Sequence, residues 1–434
     1  MIKNRTLRLF AVLVALILYI NFSAVADKDN SFTQTYPSVA CPPTAAGHTS
    51  FISLPSSKTP LRKSGTSAMT LKAAGSSRIT GGQEAVILDI GSTTPLMWKA
   101  NSGVWAGALT CIAPVTSQWF IGGSADVTSK GSLTILNSGL GRALVNVMVY
   151  TESGRATEKV VALKANSFTT LPLSSLAPGS QLLAIHLSPQ SGRVYGFLID
   201  ERGRGLRALG GDTVNSVVEP AKKIVIPAIP HTAPRGKKAL PHSLRIFVPG
   251  EIAAEIKAEI AYADGSFAPA GIDGRNIAAG KVVEIPLNLI APTGKYSLTL
   301  TSSQPILAAV KSSTFAKNKS DFTWSTAVQP LVPSSFSVTG LAPLLVFAGE
   351  EISIDLQLNS PKGKVKQVEI RGSGVATYLV GEKVRTVTIL KSSSDTYGAA
   401  LVSSGSGYGF APLILGSSLT RTSVPRSDIR VLIP

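Results

Sequence analysis

The chain has 434 residues, of which 44% are hydrophobic and 15% are charged, and its formal net charge is +17. This hydrophobic content excludes a largely disordered chain, and the length exceeds what one compact core serves, so roughly three domains are expected. The positive charge favours contact with anionic polymers or membrane surfaces, although a solvated β surface explains it as well. Nucleic acid is disfavoured as a partner because the basic residues are scattered.

Residues 1–26 have the pattern of a targeting segment. Basic residues come first, residues 9–20 form an unbroken apolar run, and small residues at Ala24 and Ala26 match a signal-peptidase site. The apolar run is shorter than the roughly 20 residues of a membrane span. A cleaved signal peptide and an uncleaved N-terminal membrane anchor both stay open. Either one predicts an extracytoplasmic protein, secreted or anchored to the cell membrane.

An N-terminal region precedes the first regular domain. Residues 27–80 are rich in Ser, Thr and Pro, which indicates a spacer that is only partly ordered. Strand-like runs in residues 81–130 indicate a β segment that packs on the first domain. Cys41 and Cys111 are the two cysteines of the chain, and in an oxidising compartment an isolated pair is most simply a disulfide. Two thiols at that spacing, with four scattered histidines, match no metal-ligand pattern.

Three stretches repeat one pattern, namely ALVNVMVYTESG (143–154), AEIKAEIAYADG (254–265) and ISIDLQLNSPKG (352–363). Aligned on their final Gly, their apolar residues alternate in one register. The Ala, Glu and Lys of the middle copy favour a helix, and its isoleucines recur every fourth residue. The first and third copies fit no helix face, so all three copies are predicted to be strands.

The repeat predicts an all-β chain of three tandem immunoglobulin-like β-sandwich units with a disulfide-tethered N-terminal β segment. Alternation buries one face of each sheet, so a second sheet must pack on it. About a hundred residues with six or seven strands suit an immunoglobulin-like sandwich. The units are predicted at residues 131–230, 242–333 and 342–434, with linkers near 231–241 and 334–342.

The stretch from Cys111 to Gly139 resembles a family of exported actinobacterial proteins of unknown function. In that family a second Cys is joined to a Trp-Phe-x-Gly-Gly element and then to a Leu-rich strand that ends in Asn-Pro-Gly. The matching residues here are Cys111, Trp119, Phe120, Gly122, Gly123, Leu133, Ile135, Asn137 and Gly139, with Ser138 in place of Pro. The resemblance extends over residues 41–434. It implies an extracytoplasmic envelope protein with a link to surface glycan assembly, and it transfers no active site.

Motifs for catalysis or cofactor binding do not stand out. The sequence has no G-x-S-x-G, H-E-x-x-H or P-loop pattern. His186 alternates within a predicted strand, where a structural role is expected, and Glu350 falls at a predicted turn. Asp200 and Glu201 stand beside Arg202, which indicates an exposed ion pair. We therefore predict no enzyme activity, no cofactor and no metal site.

Two features are candidates for binding. The first is a basic stretch that suits an anionic wall polymer or lipid headgroups, although a flexible solvated connection explains it as well; its residues are Arg202, Arg204, Arg207, Lys222, Lys223, Arg235, Lys237 and Lys238. The second is an aromatic platform for sugar rings, formed by Trp105, Trp119 and Phe120. Aromatic residues in a disulfide-pinned segment more often fill a small core.

These observations favour a non-enzymatic envelope scaffold or interaction module, with a cell-envelope protein or glycan as its partner. A module that binds carbohydrate or an anionic wall polymer is the first alternative, and an exposed aromatic or basic groove would favour it. An accessory glycan-active enzyme is the second alternative. It requires two carboxylates, or a His with a nucleophile, within hydrogen-bond reach inside one cleft.

Overall fold

The structure, a computed structural model, confirms the all-β fold class. It describes residues 32–34, 39–65, 70–90, 93–101, 104–232, 240–289, 293–316, 319–403, 407–416 and 422–424. The predicted leader, residues 1–26, lies outside these described residues. Within them, no helix has the length and apolar character needed to cross a membrane.

Strands follow one another along the described chain, with a short helix, α1 (Leu173–Leu176), and a 3-10 turn at Pro361–Gly363 between them. The strands are β1 (Phe32–Gln34), β2 (Val39–Cys41), β3 (His48–Ser53), β4 (Pro60–Lys63), β5 (Lys72–Ala73), β6 (Arg78–Thr80), β7 (Val86–Leu88), β8 (Thr93–Asn101), β9 (Trp105–Thr110), β10 (Gln118–Ile121), β11 (Ser132–Asn137), β12 (Ala143–Thr151), β13 (Gly154–Leu163), β14 (Ser167–Pro172), β15 (Ala184–Ser191), β16 (Val194–Arg204), β17 (Arg207–Val214), β18 (Ala221–His231), β19 (His242–Phe247), β20 (Ala254–Tyr262), β21 (Gly265–Phe267), β22 (Arg275–Ile277), β23 (Val282–Leu287), β24 (Gly294–Ala316), β25 (Lys319–Thr326), β26 (Ser334–Ser337), β27 (Leu344–Asn359), β28 (Val365–Leu379), β29 (Thr386–Ser392), β30 (Tyr397–Ser403), β31 (Tyr408–Pro412) and β32 (Thr422–Val424).

The three repeated stretches are all strands, as predicted. β12 and β20 alternate between buried and more exposed residues, and β27 does so from Ile352 onwards. One face of each strand therefore packs on a core while the other meets solvent. Sheet pairing overrides the helix propensity of β20, because β20 is hydrogen-bonded to β24 on one side and to β21 and β22 on the other.

The first sandwich is built from two four-stranded sheets, with strand orders β10-β15-β12-β13 and β14-β11-β16-β17. Their inward faces share one hydrophobic core, which contains Ile135, Val147 and Leu187. Phe247 and Trp324 of the second sandwich belong to the same core. The first two sandwiches are thus packed directly on each other.

The second sandwich is organised around β24, a strand of 23 residues that takes part in both sheets. The N-terminal half of β24 pairs with β18 and β20, and its C-terminal half pairs with β19 and β25. β23 extends the second sheet through β19. Ile246, Ile256 and Leu298 lie in the core between the two sheets.

The third unit, called here the third sandwich, has one continuous ten-stranded sheet that includes strands from the N-terminal segment. β26 pairs antiparallel with β29, and it also pairs in parallel with the start of β8. β8 in turn pairs with β3 and β9. Leu96 and Ala108 of these strands share a core with Phe347 and Leu356 of β27. Segments from opposite ends of the chain therefore build one sheet.

The disulfide between Cys41 and Cys111 is confirmed, and the Cα atoms of the two residues are 4.8 Å apart. Both cysteines are buried in a core that the N-terminal segment shares with Leu136, Tyr195 and Phe197 of the first sandwich. The segment therefore contacts the first sandwich and pairs with the third. Pro37–Ser418 form one compact unit, and outside it β1 and β32 pair antiparallel with each other.

Candidate functional site

A cleft of about 490 Å³ lies between the second and third sandwiches. Its walls come from β18, β20, β21 and β24 on one side, and from β27, β28 and the start of β30 on the other. Ligand sites commonly have volumes of about 300–1,000 Å³. The lining residues are Lys223, Val225, Glu259, Ala261, Tyr262, Gly265, Ser266, Ser297, Thr299, Ala348, Gly349, Glu350, Glu351, Ser373, Gly374, Ser394, Asp395 and Tyr397.

The floor of the cleft consists of apolar side chains and the phenol ring of a tyrosine. Val225, Ala348 and Tyr397 are buried in one small cluster, with Val328 packed against it. Burial raises the pKa of the Tyr397 phenol above its usual value. The hydroxyl group is therefore neutral at neutral pH and is able to donate or accept a hydrogen bond.

Carboxylates line both walls of the cleft. The register of β27 against β28 shifts between Gly349 and Ile352, and the exposed residues Glu350 and Glu351 lie in this bulge. A bulge redirects side chains and is frequent beside binding sites. Glu259, on the exposed face of β20, lines the opposite wall.

One exposed ion pair links the two walls. Lys223 Nζ lies 3.6 Å from Asp395 Oδ2, and the two side chains are 50% and 72% exposed. Such a pair contributes little stability because water screens it. The lining as a whole has four carboxylates and one ammonium group, which leaves three net negative charges. The cleft is therefore acidic, although the chain is strongly basic.

The two sandwiches approach each other closely at Gly374 of β28. Its φ is +67°, and a Cβ atom there would lie 2.5 Å from the carbonyl oxygen of Tyr262. Only glycine tolerates both constraints. The Tyr262 ring packs beside Tyr296 and Phe267, with centroid distances of 5.9 Å and 6.4 Å. These contacts hold the tyrosine in the wall of the cleft.

The lining suits a ligand that donates hydrogen bonds. Carboxylate and hydroxyl oxygens accept hydrogen bonds, and tyrosine rings add partly apolar faces. Sugar hydroxyls and ammonium groups are such donors, whereas the carboxylates would repel an anionic polymer. In the part of the chain that the structure describes, no group of three or more His, Cys, Asp or Glu side chains could hold a metal ion.

Arg202 belongs to a partly buried ion network, so the ion pair at this position is not exposed as predicted, and the Arg202 charge is already matched by carboxylates of the chain. Its Nε donates to Asp200 Oδ1 at 2.6 Å, and its Nη1 lies 3.5 Å from Asp126 Oδ2. Asp200 is fully buried and also accepts a hydrogen bond from Trp324 Nε1 at 3.0 Å. Burial opposes the charge of Asp200, but Arg202 outweighs it and holds the pKa of this carboxyl below its usual value.

The other basic residues of the predicted stretch are spread over two sandwiches. Arg204 and Arg207 face each other, exposed, at the end of the β16–β17 hairpin. Lys222 is exposed at the start of β18, and Lys223 lines the acidic cleft. Three further residues lie outside the described residues, namely Arg235, Lys237 and Lys238.

The predicted aromatic platform is buried. Trp105, Trp119 and Phe120 are 1%, 7% and 1% exposed, so they offer no open face to a sugar ring. Trp119 stacks on His186 with ring centroids 3.9 Å apart, and it packs beside Phe247 of the second sandwich at 5.9 Å. These residues fill cores, which is the alternative that their position in a disulfide-pinned segment favours.

Ser117 and His186 are within hydrogen-bond reach, with 2.9 Å between Oγ and Nε2. A serine hydroxyl beside an imidazole is the start of a nucleophilic site. Burial, however, lowers the pKa of His186 to about 4, which makes it a weak general base at neutral pH. Neither residue lines the cleft. The pair therefore does not meet the requirement set above for an enzyme.

The Gly122-Gly123 element of the family resemblance lies between the first two sandwiches. A Cβ atom on either glycine would lie 3.0 Å from a side chain, Val214 for Gly122 and Leu173 for Gly123. The buried Arg245 of β19 donates from Nη1 to the Gly123 carbonyl at 2.6 Å. The role of this element is therefore structural.

Residues 70–380 match the model of a protein family, DUF5719, described as a family of unknown function. The chain belongs to this family. The expected membership of a family of unknown function is confirmed, whereas actinobacterial origin and export stay predictions. No curated protein matches the chain. Among solved structures, the chain is similar to "Crystal Structure of Thermotoga maritima 1070", with 18% sequence identity, 25% of this chain and 94% of that chain covered, and a TM-score of 0.22. So weak a likeness supports no conclusion.

Sequence reasoning missed the cleft. Its residues come from several strands of two sandwiches, and no local pattern connects them. The sequence predicts a turn at Glu350, whereas the structure places this residue in a bulge within β27. The available signal is the Gly349-Glu350-Glu351 run, which interrupts the alternation of an otherwise regular strand.

Proposed function

We propose that this protein is an exported, non-enzymatic interaction module of the cell envelope that holds a glycan in the cleft between its second and third sandwiches. The observation that carries the proposal is the composition of the cleft, in which carboxylates from two sandwiches line the cleft together with the partly buried ring of Tyr262. A sugar ring has many hydroxyl donors on its edge and apolar C–H groups on its faces, which match the carboxylates and the Tyr262 ring respectively.

The walls of the cleft are held together behind its floor, which supports a binding role. Ala228 of β18 is buried in one cluster with Val346 and Leu401 of the third sandwich. A site that is already formed binds its ligand with less ordering cost than one that must assemble. The leader pattern and the Cys41–Cys111 disulfide support a location outside the cytoplasm, where disulfides persist.

This proposal is tested by calorimetry, which measures the affinity of purified cell-wall polysaccharide fragments for the full-length protein. Glu259→Gln replaces a charged acceptor oxygen of the cleft by an amide NH2 group, and we expect it to weaken binding about tenfold, as loss of one hydrogen bond to a charged group does. Glu255→Gln is the matched control, because Glu255 is exposed on the same strand but does not line the cleft. Equal affinities for both variants and the unmodified protein would reject the cleft as the binding site.

A glycan-active enzyme is the second candidate, because carboxylates from two sandwiches line one cleft and glycosidases use a pair of carboxylates. Release of new reducing ends from the same fragments distinguishes the two functions. Binding without product supports the interaction module. Product that disappears with Glu259→Gln and persists with Glu255→Gln would establish the enzyme instead.

A further inference from the structure

The third sandwich has a concentration of positive charge at one end. Five exposed cationic residues lie in the turn between β27 and β28, at the start of β28 and in the loop before β29: Lys362, Lys364, Lys366, Lys383 and Arg385. Glu382 is the acidic residue among them. Within the described residues, none of the five cations takes part in an ion pair. Their charges are therefore open to a partner from outside.

Sheet register brings these cations together. Asn359, the last residue of β27, is paired with Val365 of β28 on one side and with Thr386 of β29 on the other. The backbone N–H of Arg385 also donates to the Asn359 carbonyl at 2.8 Å. Neighbouring strands lie about 4.8 Å apart, so three strands span only about 10 Å. The turn and the loop thus lie side by side at one end of the sheet.

The backbone of Lys362 gives a second, independent observation. Its φ and ψ are 62° and 28°, which place it in the left-handed helical region. Glycine adopts this conformation at lower cost than lysine does, and Gly363, with φ +72°, follows directly. Glycine or asparagine is the usual residue in this conformation, so the lysine adds a charge that the turn itself does not require.

We infer that this end of the third sandwich, called here the basic edge, binds a linear polymer of negatively charged phosphate groups. Lysines bind phosphate oxygens as point charges, and a polymer presents many anions that engage several cations at once. The basic edge is separate from the proposed glycan cleft and opposite to it in charge. A flat anionic membrane fits less well, because membrane binding needs an exposed apolar face. Among the exposed large hydrophobic residues of the described chain, Val365 (58%) lies at this end, whereas Leu379 lies at the far end of β28.

Long-chain inorganic polyphosphate, titrated against the full-length protein across a salt series, is the probe. A variant with all five residues of the basic edge changed to Gln should lose affinity at least about tenfold and show a shallower salt dependence. The matched control changes five exposed cations elsewhere to Gln: Lys58, Lys72, Arg204, Arg207 and Lys222. This control lowers the net charge by the same amount, and its affinity should stay within about threefold of the unmodified protein.

Equal loss of polyphosphate affinity in the two variants would mean that net charge alone drives binding. A loss of affinity confined to the control variant would place the site at the hairpin of Arg204 and Arg207 instead. Either result overturns the proposal. So does binding to phosphatidylglycerol vesicles without binding to polyphosphate. Circular dichroism checks that both variants fold. If the first does not, the double variant Lys364→Gln/Lys366→Gln replaces it, with an expected loss of about threefold and a reduced salt slope. Cleft variants leave the basic edge intact, so the two proposals fail independently.

Discussion

The ion pair between Arg245 and Glu284 leads to a quantitative prediction about stability. Arg245 Nη2 lies 2.8 Å from Glu284 Oε2, and the two side chains are 1% and 26% exposed. Glu284→Gln would leave the buried Arg245 guanidinium with almost no contact with water and without the carboxylate closest to it. Breaking a buried pair in this way costs about 3–5 kcal/mol. The partial exposure of Glu284, together with the Asp200 carboxylate that also acts on Arg245, places the expected loss at about 3 kcal/mol.

Urea unfolding followed by circular dichroism measures this loss of unfolding free energy. Glu369→Gln is the matched control, because Glu369 forms the same kind of pair with Arg371 at the surface, where the side chains are 51% and 70% exposed. Water already screens that pair, so we expect a change within about 0.5 kcal/mol. A loss below about 1 kcal/mol for Glu284→Gln, or equal losses in both variants, would refute the reasoning from burial.

Three further predictions concern pH, the disulfide and the contact at the cleft. His231 Nδ1 and His242 Nε2 lie 2.8 Å apart, and burial, with His231 as a second cause, lowers the pKa of His242 from 6.5 to about 4. As the pH drops, His242 is protonated in the unfolded chain before it is protonated in the folded protein. The free energy of unfolding should therefore fall by up to about 3 kcal/mol between pH 6.5 and 4. In a plot of urea midpoint against pH, His242→Gln should make this part of the curve flatter. Replacing Cys41 and Cys111 by Ala should cost about 4 kcal/mol in the chain-entropy model, and a reductant should then lower the urea midpoint of the unmodified protein but not that of the variant. Gly374→Ala should lower the melting temperature and weaken glycan binding. Gly381→Ala is the control and should change neither, because a Cβ atom there meets nothing within 4 Å. An unchanged melting temperature for Gly374→Ala would contradict the close approach of the two sandwiches.

Local sequence patterns were sufficient to predict the three repeated strands and the disulfide, but not the strands β2 to β6 of the predicted spacer. Alternation of apolar and polar residues shows which face of β12 or β20 is buried, because a strand has a side-chain period of two wherever it lies in a sheet. The rule predicts a strand for β20 in spite of its helix propensity, because the other two copies of the repeat alternate in the same register. The leader pattern and the cysteine count predicted the disulfide through the chemistry of the compartment.

Only the tertiary structure decided which strands meet and which charges remain at the surface. The pairing of β26 with β8 joins segments that are far apart in the sequence, and no local pattern states it. Arg202 and Lys366 are both basic residues in strands, yet one is enclosed beside Asp200 and the other is exposed at the end of a sheet. The periodicity of a strand shows that one of its faces is buried. Which strand or sheet covers that face depends on packing over the whole chain. The acidic cleft arises from such packing, because its walls belong to different sandwiches.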